Sequence, residues 1–168
     1  GPIASSLEAF VRYHEEQAWT WEHMALTRAR AIAGPAALRE QVEAVIGKVL
    51  RSHRDPDKLL ADVADMRARI DREFHTEVPW EVKHLRGGLV DIEFIVQYLQ
   101  LRYGHERPEI LVVNTREAVG ELRRAGLLPE LMANRLGGAL DLWHAVQNLL
   151  RLTLEGAITE DRESEMSP

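Results

Sequence analysis

The chain has 168 residues, 45% apolar and 29% charged, with seven Pro and eleven Gly; it is long enough to bury a core unaided and fits neither a disordered polymer nor a fibrous repeat. Its net charge of −6, from 21 basic and 27 acidic residues, lacks the basic surplus of a nucleic-acid binder, and with no Cys it holds no disulfide, thiolate zinc site or cysteine nucleophile. No apolar run approaches the roughly 20 residues of a bilayer crossing, and Gly1-Pro2-Ile3 opens no signal peptide, so the expectations are a cytoplasmic location, no membrane and no nucleic acid.

Helical periodicity dominates the chain from its start. Ser5-Ser6-Leu7-Glu8 holds a Ser-x-x-Glu capping box, and Leu7, Val11, His14, Ala18, Trp21, Ala25, Arg28 and Ile32 then alternate spacings of four and three up to Gly34-Pro35. The pattern predicts one helix of almost thirty residues. Trp19 and Trp21 fall on opposite faces of it, which puts one in the core and leaves the other to meet a neighbour, and His14 on the stripe reads as a satisfied core histidine. Leu38, Val42, Val45 and Val49 predict a second helix. Asp55-Pro56, an N-cap followed by Pro at the first helical position, opens a third with the stripe Leu59, Val63, Met66, Ile70 and Phe74.

From Thr76 to Gly88 the period stops, and Pro79 and Gly87-Gly88 predict an irregular segment. Leu89 to Tyr103 is apolar on nearly every side, the mark of a central buried helix. Residues 109–113 look extended and are ambiguous. Asn114 then caps a helix to Ala125, with Glu117 in the capping-box position and Gly126 as its stop. Pro129 starts the last helix, whose stripe is Met132, Leu136, Ala139, Trp143, Val146, Leu150 and Thr153. These elements predict an all-α fold, a helical bundle of about six helices with long antiparallel members. Residues 1–158 are expected to form one helical domain. Residues 159–168 are expected to be an acidic, disordered tail, since the last fourteen residues hold five carboxylates against Arg162 alone.

The chemistry concentrates in residues 83–94. Lys83 and Arg86 supply positive charge, and Gly87-Gly88 just before a helix lets backbone N–H groups approach an anion, which is the physics of a phosphate-binding corner; the plainer reading makes both glycines turn residues. Asp91 and Glu93 invite comparison with paired metal carboxylates, but on a helix residues two apart point about 200° apart. Asp91 therefore reads as a first-turn residue favoured by the helix dipole. Glu93, if it faces inward, needs a cation, and Arg28 and Arg67 are the candidates beside the apolar stripes. No catalytic residue and no metal ligand emerges: the seven His show no ligand spacing, and no Ser/His/Asp grouping can be argued.

Three strings carry a resemblance: Ala18-Trp19-Thr20-Trp21-Glu22-His23-Met24-Ala25-Leu26-Thr27-Arg28-Ala29-Arg30, then Asp65-Met66-Arg67, then Lys83 through Leu99 with its Gly87-Gly88-Leu89-Val90-Asp91-Ile92-Glu93-Phe94 centre. In this order, over most of the chain, they resemble glutamine synthetase adenylyltransferase, also called glutamate-ammonia-ligase adenylyltransferase. The Trp-Thr-Trp-Glu-His form is similar to the C-terminal, adenylylating half of that bifunctional enzyme. Related helical domains follow the catalytic domain of the PII uridylyltransferase.

The resemblance implies a cytoplasmic enzyme of nitrogen metabolism that moves AMP from ATP, with magnesium, to a tyrosine of glutamine synthetase under control by PII signal protein and glutamine. It also implies that the catalytic carboxylates sit in an adjoining nucleotidyltransferase domain, so that this chain alone is inactive and holds no cofactor tightly. In that setting Lys83, Arg86, Gly87 and Gly88 are expected to serve nucleotide or phosphate, and Arg28, Arg67, Asp91 and Glu93 to serve ion pairing or support of the site. The alternative is a non-catalytic interaction module that docks glutamine synthetase or PII protein.

Overall fold

The computed structural model describes residues 4–153. Among these residues it contains seven helices and no strand: α1 (Leu7–Glu16), α2 (Thr20–Leu26), α3 (Ala36–Leu50), α4 (Pro56–Glu73), α5 (Leu89–Tyr103), α6 (Thr115–Arg124) and α7 (Glu130–Thr153). The all-α bundle is as expected, with one helix more than predicted. The acidic tail falls outside the described residues.

The extra helix comes from a break in the long first one. Gln17 and Ala18 both donate their N–H groups to the Tyr13 carbonyl, at 2.9 and 2.8 Å, which closes α1. Trp19 is extended, at φ −86° and ψ 164°, and its N–H donates to the Glu22 carboxylate at 2.8 Å, so Glu22 starts α2 from its third position. The Tyr13 hydroxyl donates to the same Glu22 carboxylate, and His23 Nε2 lies 3.0 Å from the His14 carbonyl. The predicted stripe does not survive the break: Ala25, Arg28 and Ile32 are exposed, while Met24, Leu26 and Thr27 are buried. Side-chain bonds to the backbone override a spacing that happens to run across them. The N-cap of α1 is Ser6 rather than Ser5, accepting the Ala9 N–H at 3.2 Å.

The other caps follow the sequence. Asp55 accepts the Lys58 N–H at 2.8 Å to open α4, and Asn114 accepts the N–H groups of Arg116 and Glu117 at 2.9 and 3.1 Å to open α6. Arg54 closes α3 from beyond its end by donating to the carbonyls of Val49, Leu50 and Ser52 at 2.8, 3.2 and 2.9 Å. The ambiguous 109–113 segment is a 3-10 turn, Pro108–Ile110. Gln100 Nε2 fixes it by donating to the Ile110 and Val112 carbonyls at 2.8 and 2.9 Å.

Helix α5 is the hub. Leu101 joins Met24, Ile46, Val49, Leu59 and Val63 in one core cluster, Val96 joins Ile110, Val119 and Leu122 of a second, and Leu89 and Ile92 pack with Val82 and Leu140 in a third. Each fully buried Leu or Ile contributes about 1.5–3 kcal/mol, so a helix serving three clusters anchors the others. On α7 the predicted stripe is partly out of register: Met132 is exposed, while Ala133 and Leu140 are buried. The rest of the stripe holds, since Leu136, Ala139, Trp143, Val146 and Leu150 lie on the same covered face as Ala133 and Leu140, packed first against α6 and then against α5 and Val82.

Candidate functional site

The corner between α4 and α5 gathers most of the predicted site residues. Gly87 has a left-handed φ of +80°, which an L side chain adopts only with strain. Gly88 is needed for a different reason: a Cβ there would lie 2.4 Å from the Val82 carbonyl oxygen and 2.8 Å from that of Leu85. The chain thus folds back on itself tightly before α5 begins.

Asp91 ties this turn to the bundle. Its carboxylate accepts the Gly87 N–H at 2.5 Å and forms an ion pair with Arg67 of α4, whose guanidinium also reaches Asp71 at 3.3 Å and the His84 carbonyl at 3.4 Å. Burial pushes the Asp91 carboxyl up, but the bonds from Arg67 and Gly87 outweigh it and hold it below the usual carboxylate range. From the other side, Trp143 of α7 donates its indole N–H to the Gly87 carbonyl at 3.0 Å. The turn is held by three helices.

The expectation that the first-turn N–H groups stand free for an anion does not hold. Gly88 donates to Leu85 at 2.8 Å, Leu89 to Val82 at 3.0 Å and Val90 to Lys83 at 3.1 Å, and the Gly87 N–H is taken by Asp91. What the corner offers an anion is side-chain charge. Lys83 is exposed and forms no ion pair among the described residues, and Arg86 is exposed with its guanidinium only 3.9 Å from Asp71.

Glu93 pairs with Arg28, not with Arg67. Both partners keep substantial solvent access, with side chains 26% and 49% exposed, so this is a surface pair rather than the buried one expected. The carboxylates of Asp91 and Glu93 are therefore each committed to an arginine and do not fit a magnesium ion. Among the described residues no group of three or more His, Asp or Glu could hold a metal, and no helix is long and apolar enough to cross a membrane.

Around α2 the structure corrects two readings and adds a cavity. Trp19 and Trp21 are 66% and 48% exposed, so neither is core; both line a cavity of about 370 Å³ edged by Lys58, Asp62, Asp65 and Arg69. Three of its polar groups are matched internally, as Asp62 accepts from Thr20 at 2.5 Å and from Lys58 at 2.7 Å. His14 is half-buried, and its Nδ1 has no partner, which corrects its reading as a satisfied histidine.

Residues 57–159, more than half of the chain, match the family model described as GlnD PII-uridylyltransferase. The chain belongs to that family. Within it, the likeness runs to the glutamine synthetase adenylyltransferases, as the Trp-Thr-Trp-Glu-His and Gly-Gly-Leu-Val-Asp-Ile-Glu-Phe strings implied: residues 1–45 match the model for glutamate-ammonia ligase adenylyltransferase. The chain is 45% identical over 161 residues to the bifunctional glutamine synthetase adenylyltransferase/adenylyl-removing enzyme of Rhodopseudomonas palustris strain CGA009, covering 96% of this chain and 16% of the relative. It is 44% identical over 165 residues to the enzyme of that name from Bradyrhizobium sp. strain BTAi1, covering 98% and 17%, and 41% identical over 158 residues to that from Xanthobacter autotrophicus, covering 94% and 16%. The chain thus spans about a sixth of the length of the curated relatives it matches. The model over residues 57–159 covers the α4–α5 corner, and the α1–α2 region with Arg28 lies in the separate match over residues 1–45.

Proposed function

We propose that this chain is the helical domain of a bifunctional glutamine synthetase adenylyltransferase/adenylyl-removing enzyme and that it completes the nucleotide or protein-substrate site of the adenylylating half. In the reaction, a tyrosine oxygen of glutamine synthetase bonds to the α-phosphorus of ATP, the bond to pyrophosphate breaks, and the phenolic proton is released. The observation that carries the reading is identity near 45% over almost the whole chain to enzymes of that name.

The residues divide the work. Lys83 and Arg86 are exposed cations on an anchored turn and meet the negative charge of the triphosphate, where charge-assisted bonds are strongest. Gly87 and Gly88 shape the turn that presents them, and Asp91 with Arg67 fixes it to α4. Arg28 and Glu93 brace the segment just after α2 against α5. The attacking tyrosine, the ATP and its magnesium carboxylates belong to glutamine synthetase and to an adjoining nucleotidyltransferase domain in the cytoplasm, with PII protein and glutamine acting on the complete enzyme. This chain alone transfers no AMP.

A second reading, a module that docks glutamine synthetase or PII protein without meeting ATP, is favoured by the exposure of Trp19 and Trp21, a residue type that anchors protein interfaces. Steady-state AMP transfer by the complete enzyme separates the two. Lys83→Ala raising KM for ATP supports the nucleotide role; Trp19→Ala raising KM for glutamine synthetase, with ATP kinetics unchanged by Lys83→Ala, supports the docking role.

A further inference from the structure

Phe74 ends the apolar stripe of α4, yet it is 47% exposed and joins none of the three core clusters among the described residues. Two contacts place it. Its N–H donates to the Ile70 carbonyl at 2.8 Å, which closes α4, and its ring lies on that of His84, with centroids 4.7 Å apart and planes inclined by only 16°. That is an offset stack, a favoured arrangement of two aromatic rings. The His84 side chain, 18% exposed, is the inner member of the pair, and Phe74 is the outer one.

His84 belongs to the segment that carries the cations. Lys83 precedes it, Arg86 follows two residues later, and its own carbonyl accepts from Arg67 at 3.4 Å. Arg86 approaches Asp71, three residues before Phe74, with Nη1 3.9 Å from the carboxylate. The outer ring and the two exposed cations are therefore carried by the same two backbone segments, and Arg67 fixes both of them through Asp71, Asp91 and the His84 carbonyl. A lone exposed Phe signifies nothing. An exposed ring held parallel on an inner one, beside a lysine that forms no ion pair among the described residues, matches both halves of a nucleotide: the base stacks and the phosphates meet the cations.

We infer that Phe74 is the base-stacking face of the nucleotide site: the purine of ATP lies on the outer side of the Phe74 ring, continuing its stack with His84, while the phosphates meet Lys83 and Arg86. This rests on the nucleotide reading of the corner and adds to it the residue that holds the base. Stacking reads the face of a ring and not its edge, so Phe74 supplies affinity for a nucleotide over a bare polyphosphate and leaves the choice of adenine to other contacts.

Inorganic tripolyphosphate, which has the phosphates without the base, separates the two halves. In steady-state AMP transfer by the complete enzyme at fixed free magnesium, Phe74→Leu should raise KM for ATP roughly tenfold, the size of one base stack, with kcat and the inhibition constant of tripolyphosphate against ATP near those of the parent. Phe74→Trp should keep KM at or below the parent value, because the larger ring stacks as well. Lys83→Ala should raise both constants. Loss of kcat with KM unchanged in Phe74→Leu would make Phe74 a fold residue and overturn the inference. So would KM for ATP and the tripolyphosphate constant rising together, or Phe74→Trp behaving like Phe74→Leu. If Phe74→Leu has no effect while Lys83→Ala raises KM for ATP, the inference is overturned and the nucleotide reading stands; if neither variant alters ATP kinetics, the reading has failed and the inference falls with it.

Discussion

Arg67 on α4 and Asp91 on the first turn of α5 form the ion pair that fixes the Gly87 turn, because the same Asp91 carboxylate also accepts the Gly87 N–H. The Arg67 side chain is only 12% exposed and that of Asp91 25%, whereas Arg28 and Glu93 form a pair that is half in solvent. Exposure decides which pair matters for stability.

Asp91→Ala should cost about 2–3 kcal/mol, the range of a charged hydrogen bond lost from a poorly solvated arginine. Glu93→Ala should cost less than about 1 kcal/mol, as exposed pairs do. Urea denaturation of the two variants beside the parent checks the order. Equal losses would mean that exposure is not the controlling factor.

Acid should also report on Asp91. Its carboxyl is held below the ordinary range in the folded state, so its contribution is whole above the unfolded value near 4 and is lost as pH falls through the lower folded value. Stability of the parent should therefore fall from pH 5 toward pH 2, and Asp91→Asn should fall less steeply. The comparison is of urea midpoints at matched ionic strength.

A second pH effect lies higher. Burial holds His14 and His23 below the ordinary histidine range, with Arg54, 3.4 Å from His23 Nδ1, adding to the effect on His23, and Glu22 opposing it at both. These groups bind protons less readily folded than unfolded. Stability is then whole above the unfolded value near 6.5 and is lost as pH falls through it toward the folded values. Melting temperature should drop between pH 7.5 and 5, and His14→Leu should flatten the drop while removing an unpartnered Nδ1. A parent that grows more stable toward pH 5 would contradict the assignment.

The two glycines should differ in how they fail. Gly87→Ala meets no atom within 4 Å and bears only the left-handed φ, about 1–2 kcal/mol. Gly88→Ala drives a Cβ into two backbone carbonyls and should cost more than that or rebuild the turn. Thermal melts of both variants test the ranking; a milder Gly88→Ala would show that the Val82 and Leu85 carbonyls yield.

Local capping was legible in the sequence and long-range choice was not. Asp55-Pro56, Asn114 and the apolar Leu89–Tyr103 run declare themselves because the chemistry lies within a few residues. The break before Thr20 was hidden: spacing stays helical across it, and the cause is Glu22 turning back to the Trp19 N–H. The need for a cation near Glu93 could be read, but which arginine takes which carboxylate is set by how α2 and α4 sit on α5. The occupied N–H groups before α5 were equally out of reach, since Val82, Lys83 and Leu85 supply their carbonyls only once the turn has folded back.

The central claim is that the anchored turn presents Lys83 to nucleotide, and steady-state AMP transfer to glutamine synthetase by the complete enzyme tests it most directly. Lys83→Ala should reduce kcat/KM for ATP by roughly 10- to 100-fold, the equivalent of one charged hydrogen bond of about 1.5–3 kcal/mol, and should leave the melting temperature and KM for glutamine synthetase near those of the parent. Unchanged ATP kinetics in a Lys83→Ala enzyme that folds normally would contradict the claim.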